Sequence, residues 1–345
     1  MESVVNAAEL FSAVAWSTGT PAGPVSRGLL GTRSWDGPPL TEDSLFDLAS
    51  VTKPIVAIAV LSLVDRGVLG LDDPIDRYLP GRSAEITIRQ LLNHTSGLPG
   101  STPLYRDHPT RESLLAAIGP VKAPPGTVVE YSSQGFILLG LIASAATGSP
   151  LDHLVADLVT RPLGMTSTRF GPVTGAVATE DCPWRGRVVC GEVHDENAVV
   201  LGGICGHAGL FSTLADMETL GRSLTAGLFP FPGMRTCQTE GLNLRRTLGW
   251  QLDTPGLSPI AYGHTGFTGT SLWIDGDRYH VLLTNRVHPS RHSDDIVRIR
   301  REFHSAVSDL AEHPFDRPHP ETSQVERAQD KLDQVNGDHD GHHGR

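Results

Sequence analysis

The chain is poor in cysteine, aromatic residues, positive charge and long apolar runs, and each shortage removes a class of protein. Its four cysteines, Cys182, Cys190, Cys205 and Cys237, show no Cys-x-x-Cys spacing. That argues against a metal site or a disulfide framework and leaves reduced thiols as the expectation. Lys plus Arg total 28 against 39 Asp plus Glu, a net charge of −11. An acidic protein attracts neither nucleic acid nor anionic membrane, so neither is expected as a partner. The longest apolar run, inside Pro54–Val64, is too short to span a bilayer. Met1–Glu2–Ser3–Val4–Val5–Asn6 has no basic or apolar secretory segment, and the expected location is the cytoplasm.

What is present is enough for a large core: 345 residues, 39% of them hydrophobic. Apolar runs at Phe11–Ser17 and Pro24–Thr32 predict a β-hairpin. Apolar spacing predicts helices over Ile88–Leu92, Glu112–Ile118, Gly135–Thr147, Leu151–Leu158 and Leu214–Leu224. Strand-like text returns at Leu248–Leu252, Gly269–Ile274 and Tyr279–Thr284, the last two joined by an Asp275–Gly276–Asp277–Arg278 turn. Asp295–Glu312 reads as an amphipathic helix with Ile296, Ile299, Phe303, Val307 and Leu310 on one side. The expected class is α+β, an antiparallel sheet built from both ends and covered by helices, plus an all-helical lobe. Its expected divisions are 1–71 with 242–312 for the sheet, 72–241 for the helical insert, and 313–345 as a disordered acidic, His-bearing tail.

Three stretches carry chemistry. The first is Ser50–Val51–Thr52–Lys53–Pro54, opening a buried helix that Gly67 can cap. The lysine follows the serine by three positions, nearly one helical turn, so both side chains can share a face. Pro54 does no harm in the first turn, where N–H groups lack helical partners. A desolvated amine can take a serine proton, and the helix N-terminus favours an oxyanion. The second is Pro124–Pro125–Gly126–Thr127 leading to Tyr131–Ser132–Ser133 before an apolar helix. The third is His264–Thr265–Gly266–Phe267, where small residues let a ligand or backbone come close. Taken singly, each is an ordinary helix start, hydrogen-bonded edge or β-turn.

In this order, the three resemble the serine β-lactamase and penicillin-binding-protein superfamily, closest to the class C β-lactamase-like branch with its esterases, D-aminopeptidases, amidases and acyltransferases. Leu71–Asp72–Asp73–Pro74, Leu92–Asn93–His94–Thr95–Ser96–Gly97–Leu98 and Gly206–His207–Ala208–Gly209–Leu210–Phe211–Ser212 add to the likeness. It covers about Phe11 to Leu310 and implies a β-lactamase/transpeptidase-like fold.

The resemblance implies acyl transfer without a cofactor. Ser50 is the expected nucleophile, Lys53 and Tyr131 share the base, and the backbone N–H groups of Ser50 and Phe267 form the oxyanion hole. Ser133, His264, Thr265, Gly266 and Asn197 are the expected substrate contacts. Two positions depart from the family. Ser133 replaces a common asparagine, offering fewer hydrogen-bonding groups. His264 replaces a common lysine, so a substrate carboxylate is held less firmly and classical β-lactam hydrolysis is not the expected main activity. His94, His194 and His207 read as loop-fixing residues. His194–Asp195–Glu196 resembles a metal cluster, but adjacent loop residues rarely converge on one ion. The expected substrate is a small ester or amide. Water resolves the acyl group in a hydrolase, whereas an amine or alcohol accepts it in a transacylase. A binding or sensor module on the same scaffold is the third alternative, and it normally lacks the serine, lysine or tyrosine retained here.

Overall fold

A computed structural model describes residues 2–100, 102–292 and 295–312, with side chains placed for 6–306 within them. The tail expected over 313–345, and the side chains of Val307 and Leu310, lie outside the described residues. In chain order, helix α1 (Glu2–Leu10) precedes β1 (Ala13–Thr20), β2 (Gly23–Gly31) and the short β3 (Phe46–Asp47). Helices α2 (Thr52–Asp65), α3 (Ile88–Leu92), α4 (Arg111–Ala116), α5 (Ser133–Thr147), α6 (Leu151–Val155) and α7 (Arg161–Leu163) follow. Next come β4 (Arg169–Phe170), β5 (Ala178–Cys182), β6 (Arg187–Cys190), α8 (Glu196–Val200), β7 (Leu210–Ser212) and α9 (Leu214–Thr225). Strands β8 (Tyr262–Thr265), β9 (Ser271–Asp275) and β10 (Arg278–Thr284) and helix α10 (Asp295–Glu312) complete the order.

The main sheet has five strands in the order β2-β1-β10-β9-β8, all neighbours antiparallel. The first hairpin therefore joins the last one, as expected for a sheet made from both ends. Alternation along β1 divides the two faces. Val14 and Trp16 pack with Ala7, Ala8 and Phe11 of the α1 segment and with Ile296, Ile299 and Phe303 of α10. Ala13 and Ala15 face the larger core that contains α2 and α9. Helix α2 is buried all round from Thr52 to Leu61, which suits an apolar run without a polar face. A two-residue turn, Gly276–Asp277, sets Arg278 opposite Asp275 and joins β9 to β10.

Three expectations need correction, and two elements are added to those expected. The stretch 72–241 is not all-helical, because β4 and β7 pair with β3, and β5 pairs with β6. These strands are two to five residues long, too short for alternation to declare itself. Leu248–Leu252 is not a strand; Gln251 alone makes isolated bridges, to Arg246 and Gly263. Gly249 breaks it, with φ +90° and its backbone so close to α2 that an added Cβ would lie 2.2 Å from Ala57 Cβ. The sequence pattern predicts neither helix α1 nor strand β8, the latter because Tyr262–Thr265 reads as a glycine-rich turn. The helix expected over Leu151–Leu158 instead widens into a π-turn at Ala156–Thr160 before α7.

Candidate active site

The site is assembled where three chain segments meet. Strand β3 is held by β7, and Leu48 N–H bonds the Leu210 carbonyl at 2.9 Å. The chain then turns through a 3-10 turn, Ala49–Val51, before entering α2. Ala49 has φ +46°, a costly conformation for a residue with a Cβ. The buried Asp47 carboxylate holds it there, accepting Ala49 N–H at 2.8 Å and His194 N–H at 2.7 Å. Burial pushes the Asp47 carboxyl up, and those two donors pull the other way. Ser50 thus sits on a turn fixed from both sides. Lys53, fully buried, points its Nζ at Ser50 Oγ (3.0 Å) and at the His207 carbonyl (3.1 Å).

Tyr131 arrives from the loop before α5. His94 Nδ1 accepts the Ser132 N–H at 3.1 Å, and Ser132 Oγ donates to the Pro99 carbonyl at 2.6 Å. Ser132 also caps α5, which begins at Ser133. Two cations approach the Tyr131 ring: Lys53 Nζ is 4.9 Å from its centroid and the Arg246 guanidinium 5.6 Å. His94 and His264 rings flank it at 4.8 and 5.8 Å.

The turn between β8 and β9 supplies the third wall. Thr268 Oγ1 donates to the Asp47 carbonyl (2.7 Å) and Thr270 Oγ1 to that of Leu48 (2.9 Å). Gly266 presses on the same segment so closely that an added Cβ would lie 2.5 Å from the Leu48 oxygen. This stitching sets the Phe267 backbone against the turn that carries Ser50. His264 Nδ1 must donate to the Thr265 carbonyl (2.8 Å), which leaves Nε2 as a buried lone pair without a described partner. Burial, then Lys53 and Arg246, drive its pKa well below the ordinary value, so His264 is neutral.

A cleft of about 580 Å³ connects these walls, lined among others by Ser50, Tyr131, Ser133, Asn197, Arg246 and Phe267. Thr265 and Gly266 border it too. Asn197 contributes mainly to its shape: its Oδ1 accepts Tyr105 N–H (2.9 Å) and its Nδ2 donates to the Thr102 carbonyl (2.8 Å). His194, Asp195 and Glu196 diverge. His194 Nε2 meets Glu180 at 3.0 Å, Asp195 meets His207 Nε2 at 2.9 Å and caps α8, and Glu196 pairs with Arg291. Glu180, Cys182 and Glu196 offer ligand atoms close together, but Arg291 bridges both carboxylates. Burial would raise Glu180, yet His194 and Arg291 together bring it down to about 2.

The expected site residues therefore line one cleft, except Lys53, which is buried against Ser50, and arginines that no local pattern marks meet them there. Among the described residues Arg246 has no ion pair, and its Nε is buried without an acceptor. Arg286 and Arg300 stand behind the Phe267 turn. No local pattern marks these residues, because each is brought in by long-range folding.

A serine on a 3-10 turn, with a buried lysine from the first turn of the following helix against its hydroxyl, is the pair that a serine acyl-transfer enzyme class uses. The chain belongs to the β-lactamase family: the Beta-lactamase family profile matches residues 21–302. A putative D-alanyl-D-alanine carboxypeptidase of Escherichia coli K12 is 30% identical over 306 residues, 72% of this chain and 70% of that one. Unliganded simvastatin synthase (LovD) from Aspergillus terreus superposes with a TM-score of 0.73 at 20% identity, over 92% of this chain and 98% of that one. The D-amino acid amidase from Ochrobactrum anthropi SV3 gives 0.71 at 23% identity, over 91% and 98%. At those identities the two structures establish the fold, and the family makes this chain an enzyme acting on small amide or ester substrates.

Proposed function

We propose that the protein hydrolyses a small amide or ester through an acyl-Ser50 intermediate. The observation that carries this reading is the 3.0 Å approach of Lys53 Nζ to Ser50 Oγ beside the Tyr131 ring. Ser50 Oγ attacks the carbonyl carbon as Lys53 and Tyr131 take its proton. The N–H groups of Ser50 and Phe267 hold the oxyanion, a contribution of roughly 10²–10³ in rate per donor. The C–N or C–O bond then breaks, the leaving group takes the proton, and water releases the acid.

Arg246 completes the reading. It supplies the positive charge that neutral His264 does not, and it suits a carboxylate on the substrate, in keeping with the carboxypeptidase name of the 30%-identical relatives. An amine or alcohol acceptor in place of water would make the same residues a transacylase, and Ser50 and Tyr131 in one cleft, with the buried Lys53 amine 3.0 Å from Ser50 Oγ, speak against a purely binding role.

Intact-protein mass after exposure to a small fluorophosphonate tests the reading. A single adduct on wild type, absent from Ser50→Ala, is expected; no adduct on wild type would sink it. Discharge of an activated-ester adduct by water alone, or only by an added amine, separates hydrolase from transacylase.

A further inference from the structure

One arginine in the cleft has partners that are neither substrate-facing nor acidic. Arg300, on α10, directs Nη2 to the Gly266 carbonyl (2.7 Å) and to the Thr270 carbonyl (2.8 Å). Its Nε is buried without an acceptor, and among the described residues it has no ion pair. Placing a cation where only carbonyl oxygens receive it costs desolvation energy that packing alone does not return. The partners explain the placement. The carbonyl of Gly266 and the N–H of Phe267 belong to one peptide unit. In a trans peptide the two groups point in opposite directions. A guanidinium on the oxygen therefore fixes the direction of the N–H, and by drawing electron density toward the oxygen makes that N–H a stronger donor.

We propose that Arg300 is a positioning residue for the oxyanion hole, acting through the Gly266–Phe267 peptide; this rests on the acyl-Ser50 reading given above. Three further observations agree. Among the described residues the Phe267 N–H has no acceptor, as a group kept for a transient oxyanion requires. The next carbonyl, that of Phe267, receives Arg286 Nε at 2.7 Å, so the peptides on both sides of Phe267 are pinned from their oxygens. The turn closes on itself through Gly266 N–H to the Thr270 carbonyl at 2.7 Å, and Arg300 shares that carbonyl. Gly266 in turn abuts Leu48 and Ala49, immediately before the nucleophile. Helix α10, distant in sequence from every catalytic motif, thereby reaches the reacting carbonyl through one hydrogen bond and one peptide plane.

The test uses the full chain with Arg300→Met, which keeps the stem but removes both donors, and Arg300→Lys, which keeps a charge and fewer donors. Fluorophosphonate titration counts competent Ser50, and kcat and KM are measured per titrated site on an aryl ester. A boronic acid reports the tetrahedral state. Arg300→Met is expected to lower kcat about 10–100-fold with KM within about threefold, and to raise the boronic acid Ki by a matching factor. Arg300→Lys is expected to recover a large part of both. If Arg300→Met does not fold, a several-fold kcat loss in Arg300→Lys at unchanged KM carries the claim. Unchanged kcat and Ki per titrated site in a folded variant, whatever its melting temperature, would overturn it alone. A wild type that takes no fluorophosphonate would overturn it together with the acyl-serine reading.

Discussion

Lys53 Nζ has two acceptors, Ser50 Oγ at 3.0 Å and the His207 carbonyl at 3.1 Å, and the side chain is fully buried. The amine is therefore tied to Ser50 on one side and to the His207 backbone on the other. Lys53→Met keeps the volume and removes the proton carrier. Its kcat/KM is expected to fall by at least about 10²-fold, the usual size of a lost general base. Stability should hold or rise, because a buried amine without a carboxylate partner is no net stabiliser. Steady-state kinetics beside a melting curve checks both; a large drop in melting temperature with intact turnover would contradict the assignment.

Gly266 offers a geometric test of the same site. An added Cβ would meet the Leu48 oxygen at 2.5 Å and Thr270 Oγ1 at 2.1 Å. The turn must then retreat from Ser50. Gly266→Ala should lose about 10²-fold in kcat, comparable to loss of an oxyanion donor, in a protein that still melts cooperatively. Retention of wild-type kcat would mean that the Phe267 peptide does not act on the reacting carbonyl.

Arg246 separates two substrate classes. Two aryl esters of equal reactivity, one with a distal carboxylate and one neutral, should differ in wild type, with the charged ester favoured. Arg246→Gln should erase that preference by raising KM for the charged ester about tenfold or more, leaving the neutral ester near its wild-type value. Equal loss on both esters would instead assign Arg246 to the Tyr131 ring that it overlies.

The buried histidines set the acid side of the stability profile. Burial is the largest cause holding His94 and His264 well below their ordinary value, and it brings His280 and His304 to about 3. Their unfolded counterparts protonate near 6.5. Below that pH the unfolded chain binds more protons, so this stability is complete above about 6.5 and is lost as pH falls toward the folded values. Each such histidine costs about 1.4 kcal/mol per pH unit in that window. The melting temperature should therefore decline from pH 7 to 5.5, and His280→Gln should make the decline shallower. A flat curve over that range would show that these rings accept protons in the folded state.

The sequence exposed what is local and hid what is assembled. Ser50 and Lys53 are legible because helical spacing ties them together, and the hairpin of β9 and β10 because its turn lies in four consecutive residues. Strand β8 is not legible in the sequence because Gly263 and His264 interrupt any alternation, although both belong to the sheet edge. The arginines are hidden for another reason. Arg246 reaches Tyr131 across more than a hundred residues, and Arg300 reaches Gly266 across 34, so no window of text contains both partners. The strands paired with β3 are shorter than any periodicity can resolve.

The order of the sheet has a consequence for synthesis on the ribosome. Strand β1 is made early, yet its place lies between β2 and β10, and Val14 pairs with Thr284. At about 5–20 residues per second the intervening chain takes on the order of tens of seconds to emerge. Throughout that time the nascent Ser50 turn lacks the wall that β8, β9 and α10 provide. On the acyl-Ser50 reading proposed above, the emerging chain carries Ser50 without the Phe267 N–H, and that donor comes into place only when the last strands join the sheet.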